Sequence, residues 1–282
     1  MAFFLRHISI VRAGMLALAC VSLAALAGCA TFTSMFSDDP PGGGADPQNP
    51  RTSQVAYRTP EQVAAPLSPD ERAVVAAARS LMGRGPESAV KVNGRTFVLD
   101  CIGTVSAIFW EMDIDVRKDF RLYNGDGVSR LYQSLQAQKS IHTDLYPRPG
   151  DVIFWDNTWD AKGDGKLNDD PLTHAGIVLS VDADGTIHYV HEHVIKGVTV
   201  ESMNLLHPRD YYDPQGRIIN NAMAMNSGIS RKDNPPHWTS GDLWDSFGDV
   251  LRVRRHFEVA DAAPGAGPSE DVLLAMKPPE NW

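Results

Sequence analysis

An α+β domain is what this sequence predicts, and three observations predict it. Apolar residues recur at helical spacing in three separate stretches of the first half. From Pro147 onward the period changes to that of strands separated by turn residues. The segment carrying both patterns, 67–256, is long enough for one core and short for two. Helices first and antiparallel strands after is the α+β order.

Ser68-Pro69-Asp70-Glu71 reads as a capping box with proline at the first helical position, and Val74, Val75, Ala78, Leu81 and Met82 give that helix its apolar face. Gly83 stops it, and a polar, Gly-rich connection is expected through Gly94. Next comes Asp100-Cys101-Ile102-Gly103, at the head of an apolar run ending at Trp110. Asp100 stands where an N-cap belongs, which puts the Cys101 sulfur at the positive end of a buried helix. A thiol there is expected to be partly thiolate near neutral pH and suited to attack a carbonyl. A further helix is predicted over Gly127–Gln138.

Pro147-Arg148-Pro149-Gly150 is a turn, and Asp151–Trp155 reads as a buried strand. Thr173–Val181 and Thr186–His193 are two more strands, joined by a hairpin turn at Asp182–Gly185. Shorter strands are expected at Gly197–Glu201 and Gly216–Asn220, and a short helix after Ser240. His174 opens its strand beside Ala175 and Gly176, a position suited to a general base. On the next strand Ile187, Tyr189, His191 and His193 share one face by alternation. If the strands pair, His191 can hold the His174 imidazole in the required tautomer.

The termini read differently. Arg6 and Arg12 precede an apolar run, Gly14–Ala27, that is short for a membrane span. It ends Leu26-Ala27-Gly28-Cys29, which resembles a bacterial lipobox. The resemblance implies a signal peptide over 1–28, cleavage before Cys29 and lipidation of that cysteine. Ala30, rather than Asp, follows it, so the expected location is the cell envelope, at the outer membrane facing the periplasm. Cys20 would leave with the leader, so Cys101 has no cysteine to pair with in an oxidising compartment. Residues 29–66 are Pro- and Gly-rich and read as a flexible tether, and 257–282 as a disordered tail. The whole chain carries a net charge of −9. Two basic and no acidic residues fall in the leader, leaving 24 basic against 35 acidic. Nucleic acid is not the expected partner of such a chain.

The ordered set Leu99-Asp100-Cys101-Ile102-Gly103, Arg148-Pro149-Gly150-Asp151-Val152-Ile153-Phe154 and His174-Ala175-Gly176-Ile177-Val178 resembles the NlpC-like papain-fold peptidases and their CHAP amidase relatives. The likeness spans Phe97–His193, about a third of the chain. It implies a papain-like fold, Cys101 as nucleophile, His174 as base, His191 as third polar residue, and hydrolysis of amide bonds in cell-wall peptides with no cofactor in the chemistry. Three features depart from the family pattern. Ile102 stands where serine is common. The aromatic Tyr-x-Trp-Gly-Gly segment before the cysteine is missing. An acidic loop precedes His174.

In that loop Asp156, Asp160, Asp164 and Asn168 are candidate ligands for a structural calcium ion, since its aspartates repel one another unless something neutralises them. Lys162 and Pro171 occupy loop positions where calcium ligands are wanted. Two other readings stand beside the cysteine hydrolase. His188, His191 and His193 suit a histidine-ligated metal hydrolase. A fold that kept its shape and lost turnover would be a calcium-dependent envelope-binding lipoprotein.

Overall fold

The computed structural model describes Thr59, Gln62 and residues 65–166, 168–224 and 238–259. The expected leader, most of the tether, Cys29 and the tail beyond 259 lie outside the described residues. Among the described residues no helix is long and apolar enough to cross a membrane.

Helix α1, Pro69–Leu81, begins with the capping box its sequence predicts: the Ser68 side chain accepts from Glu71 N–H, and the Glu71 carboxylate accepts from Ser68 N–H. Glu71 does a second job. It receives the Arg148 guanidinium, which ties α1 to the Arg148–Asp151 turn that starts the sheet. That turn closes on itself, with Arg148 N–H donating to the Asp151 carboxylate and Asp151 N–H to the Arg148 carbonyl.

The stretch expected as a connection is instead a hairpin, β1 (Ala89–Val92) and β2 (Arg95–Val98). Asn93 and Gly94 both take positive φ, 42° and 84°, the pair a tight two-residue hairpin turn needs. Val90, Val92 and Phe97 bury the inner face of this hairpin.

Helix α2, Cys101–Trp110, has Asp100 as its N-cap, with the carboxylate accepting from Gly103 N–H. Every residue from Ile102 to Phe109 is buried. A helix this apolar belongs to the interior, and its first turn is therefore delivered against the sheet rather than into solvent. Helix α3, Gly127–Ala137, is capped by Asp126, and its first residue packs on Ile102, so the starts of α2 and α3 meet.

The main sheet has six antiparallel strands in the order β3-β8-β4-β5-β6-β7: β3 (Ile141–His142), β4 (Val152–Trp155), β5 (His174–Val181), β6 (Thr186–His193), β7 (Gly197–Asn204) and β8 (Trp244–Gly248). Helix α4, Arg254–Phe257, closes the described chain. The α+β class with an antiparallel sheet is thus the architecture. One core cluster joins the helices to the sheet through Val74, Ala78, Phe109, Ile108, Leu131, Phe154, Ile177 and Val190. Another lies on the alternate strand residues Ile153, Trp155, Val178, Ile187, Tyr189 and Met203, together with Leu243 and Phe247. Each fully buried Val, Leu, Ile, Phe or Met side chain among them contributes about 1.5–3 kcal/mol.

Three further expectations are corrected. The segment after Ser240 forms turns and then strand β8, which inserts between β3 and β4. Gly216–Asn220 forms only an isolated bridge, Tyr212 to Ile218, because the Asp213–Arg217 contacts close a local turn. The fold also runs past His256: Phe257 is fully buried, Asp115 N–H donates to its carbonyl, and Val259 N–H donates to the Asp113 carbonyl.

Candidate active site

Cys101 is half-buried at the first position of α2. Two local features put it there. The Asp100 cap sets the start of the helix, and Gly103 lets that helix approach β2. A Cβ on Gly103 would stand 1.7 Å from the Val98 carbonyl oxygen, so the second residue after the cysteine has no room for a side chain. The thiol faces the backbone N–H of Ala175, which favours its ionised form. The nucleophile candidate therefore lies against the head of β5, beside the residue that follows His174.

His174 is delivered by the β4–β5 loop, whose neck is closed by several hydrogen bonds. Asn157 N–H donates to the Asp170 carbonyl, Asp170 N–H to the Asn157 side chain, and Leu172 N–H to the Asp156 carboxylate. Thr158 and Thr173 pair through their hydroxyls at 2.9 Å. The Trp155 ring, anchored by its indole N–H on the Ser240 carbonyl, lies 5.7 Å from the His174 ring.

The His174–His191 pair follows from the register. Gly176, two residues after His174, pairs with His191. Thr199, two residues before Glu201, pairs with the same His191. His174, His191 and Glu201 therefore lie diagonally across β5, β6 and β7. His174 Nε2 meets His191 Nδ1 at 2.9 Å, His191 Nε2 meets Glu201 Oε2 at 3.2 Å, and Lys196 Nζ holds Glu201 Oε1 at 2.7 Å. His191 and Glu201 are both buried. Burial alone would raise the Glu201 carboxyl, but His191 and then Lys196 outweigh it and bring it down to about 2. Glu201 is the residue that sequence reasoning missed. Its signal was faint: it ends the predicted strand Gly197–Glu201 and, in β7, alternates with Met203 on the buried side, an acid where an apolar residue is usual.

The electrostatics at Cys101 correct the expected thiolate. Burial pushes the thiol strongly up, and Asp100, Asp126 and Glu192 push it further. The cause is built into the fold. The two carboxylates that cap α2 and α3 sit where the helix starts converge, and their charge offsets what the helix ends offer a thiolate. Glu192, on β6 between His191 and His193, is itself raised to about 7 by burial, Asp100 and Glu87. Burial, then His191, holds His174 well below the ordinary imidazole range, against the pull of Glu201. The resting pair is a neutral thiol and a neutral imidazole.

The other candidate ligands go elsewhere. His188 contacts the Ser202 hydroxyl and Asp182, and His193 Nδ1 accepts from Ile195 N–H, so the three β6 histidines face separate partners. In the acidic loop both Asp160 oxygens accept backbone N–H groups, from Asp164 and Gly165. Asp164 pairs with Lys166, Asp169 with Lys162 and Lys166, and Asp156 serves the loop neck. Lys162 and Lys166 thus offset part of the negative charge of this loop. Asn168 lies at an exposed position of the same loop. Among the described residues no three His, Cys, Asp or Glu side chains are grouped to hold a metal ion. Compared with family models, with curated proteins and with solved structures, the chain gives no match in any of the three.

Proposed function

We propose that this protein is a lipid-anchored cysteine hydrolase of the cell envelope, with a papain-like NlpC/CHAP fold, that cleaves amide bonds in peptidoglycan peptides. One observation carries the reading. The Cys101 thiol lies against the Ala175 N–H, while the preceding residue, His174, begins a buried chain of contacts through His191 to Glu201. A nucleophile, a base and an orienting group are the parts acyl transfer needs. The lipid anchor at Cys29 and the peptidoglycan substrate rest on the sequence resemblance.

The neutral resting pair sets the order of events. As Cys101 Sγ attacks the amide carbonyl carbon, His174 Nδ1 takes the thiol proton. The C–S bond forms while the carbonyl π bond breaks, and the negative charge moves to oxygen. The Cys101 N–H, unpaired within its helix because it belongs to the first turn, is placed to stabilise that oxygen. The imidazolium gives its proton to the leaving amine, the C–N bond breaks, and a thioester remains. Water, deprotonated by His174, releases the acid and restores the thiol. No step is routed through calcium.

Incubating the full chain with purified peptidoglycan fragments, with iodoacetamide or with a chelator, tests the class. Hydrolysis abolished by iodoacetamide and indifferent to the chelator supports the reading. The reverse pattern would assign the activity to a histidine-ligated metal hydrolase. One observation favours a non-catalytic envelope-binding role, the strongly raised thiol, and absence of any product would give that role precedence.

A further inference from the structure

We propose that Glu201, clamped by Lys196, is a positioning residue that fixes the tautomers of two successive imidazoles and so leaves the lone pair of His174 on Nδ1, the atom to which the hydrolase reading assigns the thiol proton. The inference rests on the cysteine-hydrolase reading and names a residue that reading does not require.

The argument is one of donors and acceptors. An ionised carboxylate only accepts. Glu201 Oε1 accepts from the Lys196 ammonium, so Oε2 must accept from His191 Nε2–H. His191 is taken as neutral at rest, with one donor and one acceptor nitrogen, which makes Nδ1 the acceptor; a doubly protonated His191 would instead donate from Nδ1 to His174 Nε2. At 2.9 Å the Nδ1 of the neutral ring receives Nε2–H from His174, and the only lone pair left on the His174 ring is at Nδ1. Reversing a single link reverses them all: with Nε2 of His191 deprotonated, His174 would carry its proton on Nδ1, the nitrogen that the hydrolase reading needs as acceptor, and could not take the thiol proton there. Within the same cluster, the His193 and Tyr189 rings both lie against His191 in T-shaped contacts. Neither supplies an acceptor for His191 Nε2, which is occupied by Glu201.

The geometry makes the device depend on the fold. Glu201 and His191 sit on neighbouring strands in fixed register, and Lys196 comes from the β6–β7 turn that joins those same strands. The Glu201 side chain is 3 % exposed and Lys196 54 %, so water can reach the clamp but not the carboxylate–imidazole contact.

The test reads tautomers directly, by 15N–1H correlation of the imidazole nitrogens in the full chain labelled at histidine, and needs no substrate. In the wild type, His174 and His191 are both expected to carry their proton on Nε2. In Glu201→Met, which removes the carboxylate and leaves only a weak thioether acceptor, both are expected to move it to Nδ1. Hydrolysis by that variant should fall about a hundredfold in kcat with KM little changed, the lower range of what a positioned base contributes. A carboxylate restored as Glu201→Asp should recover part of the rate if the charge still reaches His191. Wild-type His191 protonated on Nδ1 would overturn the proposal even if the variants fail to fold. So would Glu201→Met with wild-type tautomers. If tautomers are as expected but no amide is cleaved, the hydrolase reading fails and the positioning chain stands.

Discussion

The charge state of Cys101 can be measured by following its alkylation with iodoacetamide from pH 6 to pH 10. An unperturbed thiol, with a pKa of about 8.5, is about 3 % thiolate at pH 7. Burial and the carboxylates of Asp100, Asp126 and Glu192 all move Cys101 upward, and each unit of that movement costs a factor of ten in thiolate. Alkylation at pH 7 should therefore be more than about tenfold slower than that of free cysteine, with log rate rising at unit slope through pH 9. Glu192 supplies an internal control. Because it titrates near 7, its charge acts on the thiol above that pH and fades below it. Glu192→Gln should speed alkylation about three- to tenfold at pH 9, half to one pKa unit, and leave the rate at pH 6 unchanged. A flat profile from pH 6 to pH 9, at or above the rate of free cysteine, would show a preformed thiolate and refute the electrostatic argument. An equal effect of Glu192→Gln at both pH values would refute the part assigned to Glu192.

Three further outcomes are expected. Gly103→Ala forces a methyl into the Val98 carbonyl, at a cost of about 2–3 kcal/mol, and should lower Tm by about 5–10 °C for a domain of this size; an unchanged Tm would mean that α2 does not abut β2. Glu201 is depressed from 4.5 to about 2 in the folded chain, so its contribution is present above pH 4.5 and lost as pH falls toward 2. Acid titration of stability should show that loss, on the order of 3 kcal/mol as a ceiling, and Glu201→Gln should abolish this part of the slope. Calorimetry with calcium should give no heat and chelation should leave Tm unchanged, because Lys162 and Lys166 already pair with the loop carboxylates; a rise of several degrees with calcium would restore the ion to the loop.

The parts of the fold written in local chemistry were legible. Ser68 and Glu71 cap α1 as read, Asp100 caps α2, and the alternation of Tyr189, His191 and His193 gives the strand face on which His191 meets His174. What local pattern does not encode was missed. Trp244–Gly248 has no clean alternation, and it is a strand only because β3 and β4 flank it. The Asn93-Gly94 signal was present, but four-residue strands around it leave little periodicity to read. The raised thiol was not legible because the helix end was weighed without the burial of the sulfur and without the charge of its cap: the same Asp100 that positions Cys101 also opposes its ionisation. Glu201 needed the β6–β7 register, which ties it to His191 across ten residues.

The most direct test of the central claim is mass spectrometry of purified peptidoglycan fragments incubated with the full chain, beside Cys101→Ala. The account predicts new products that carry the mass of water added across an amide bond, formed by the wild type and not by the variant. The same products from both proteins would contradict it, because the bond would then be cut without the thiol.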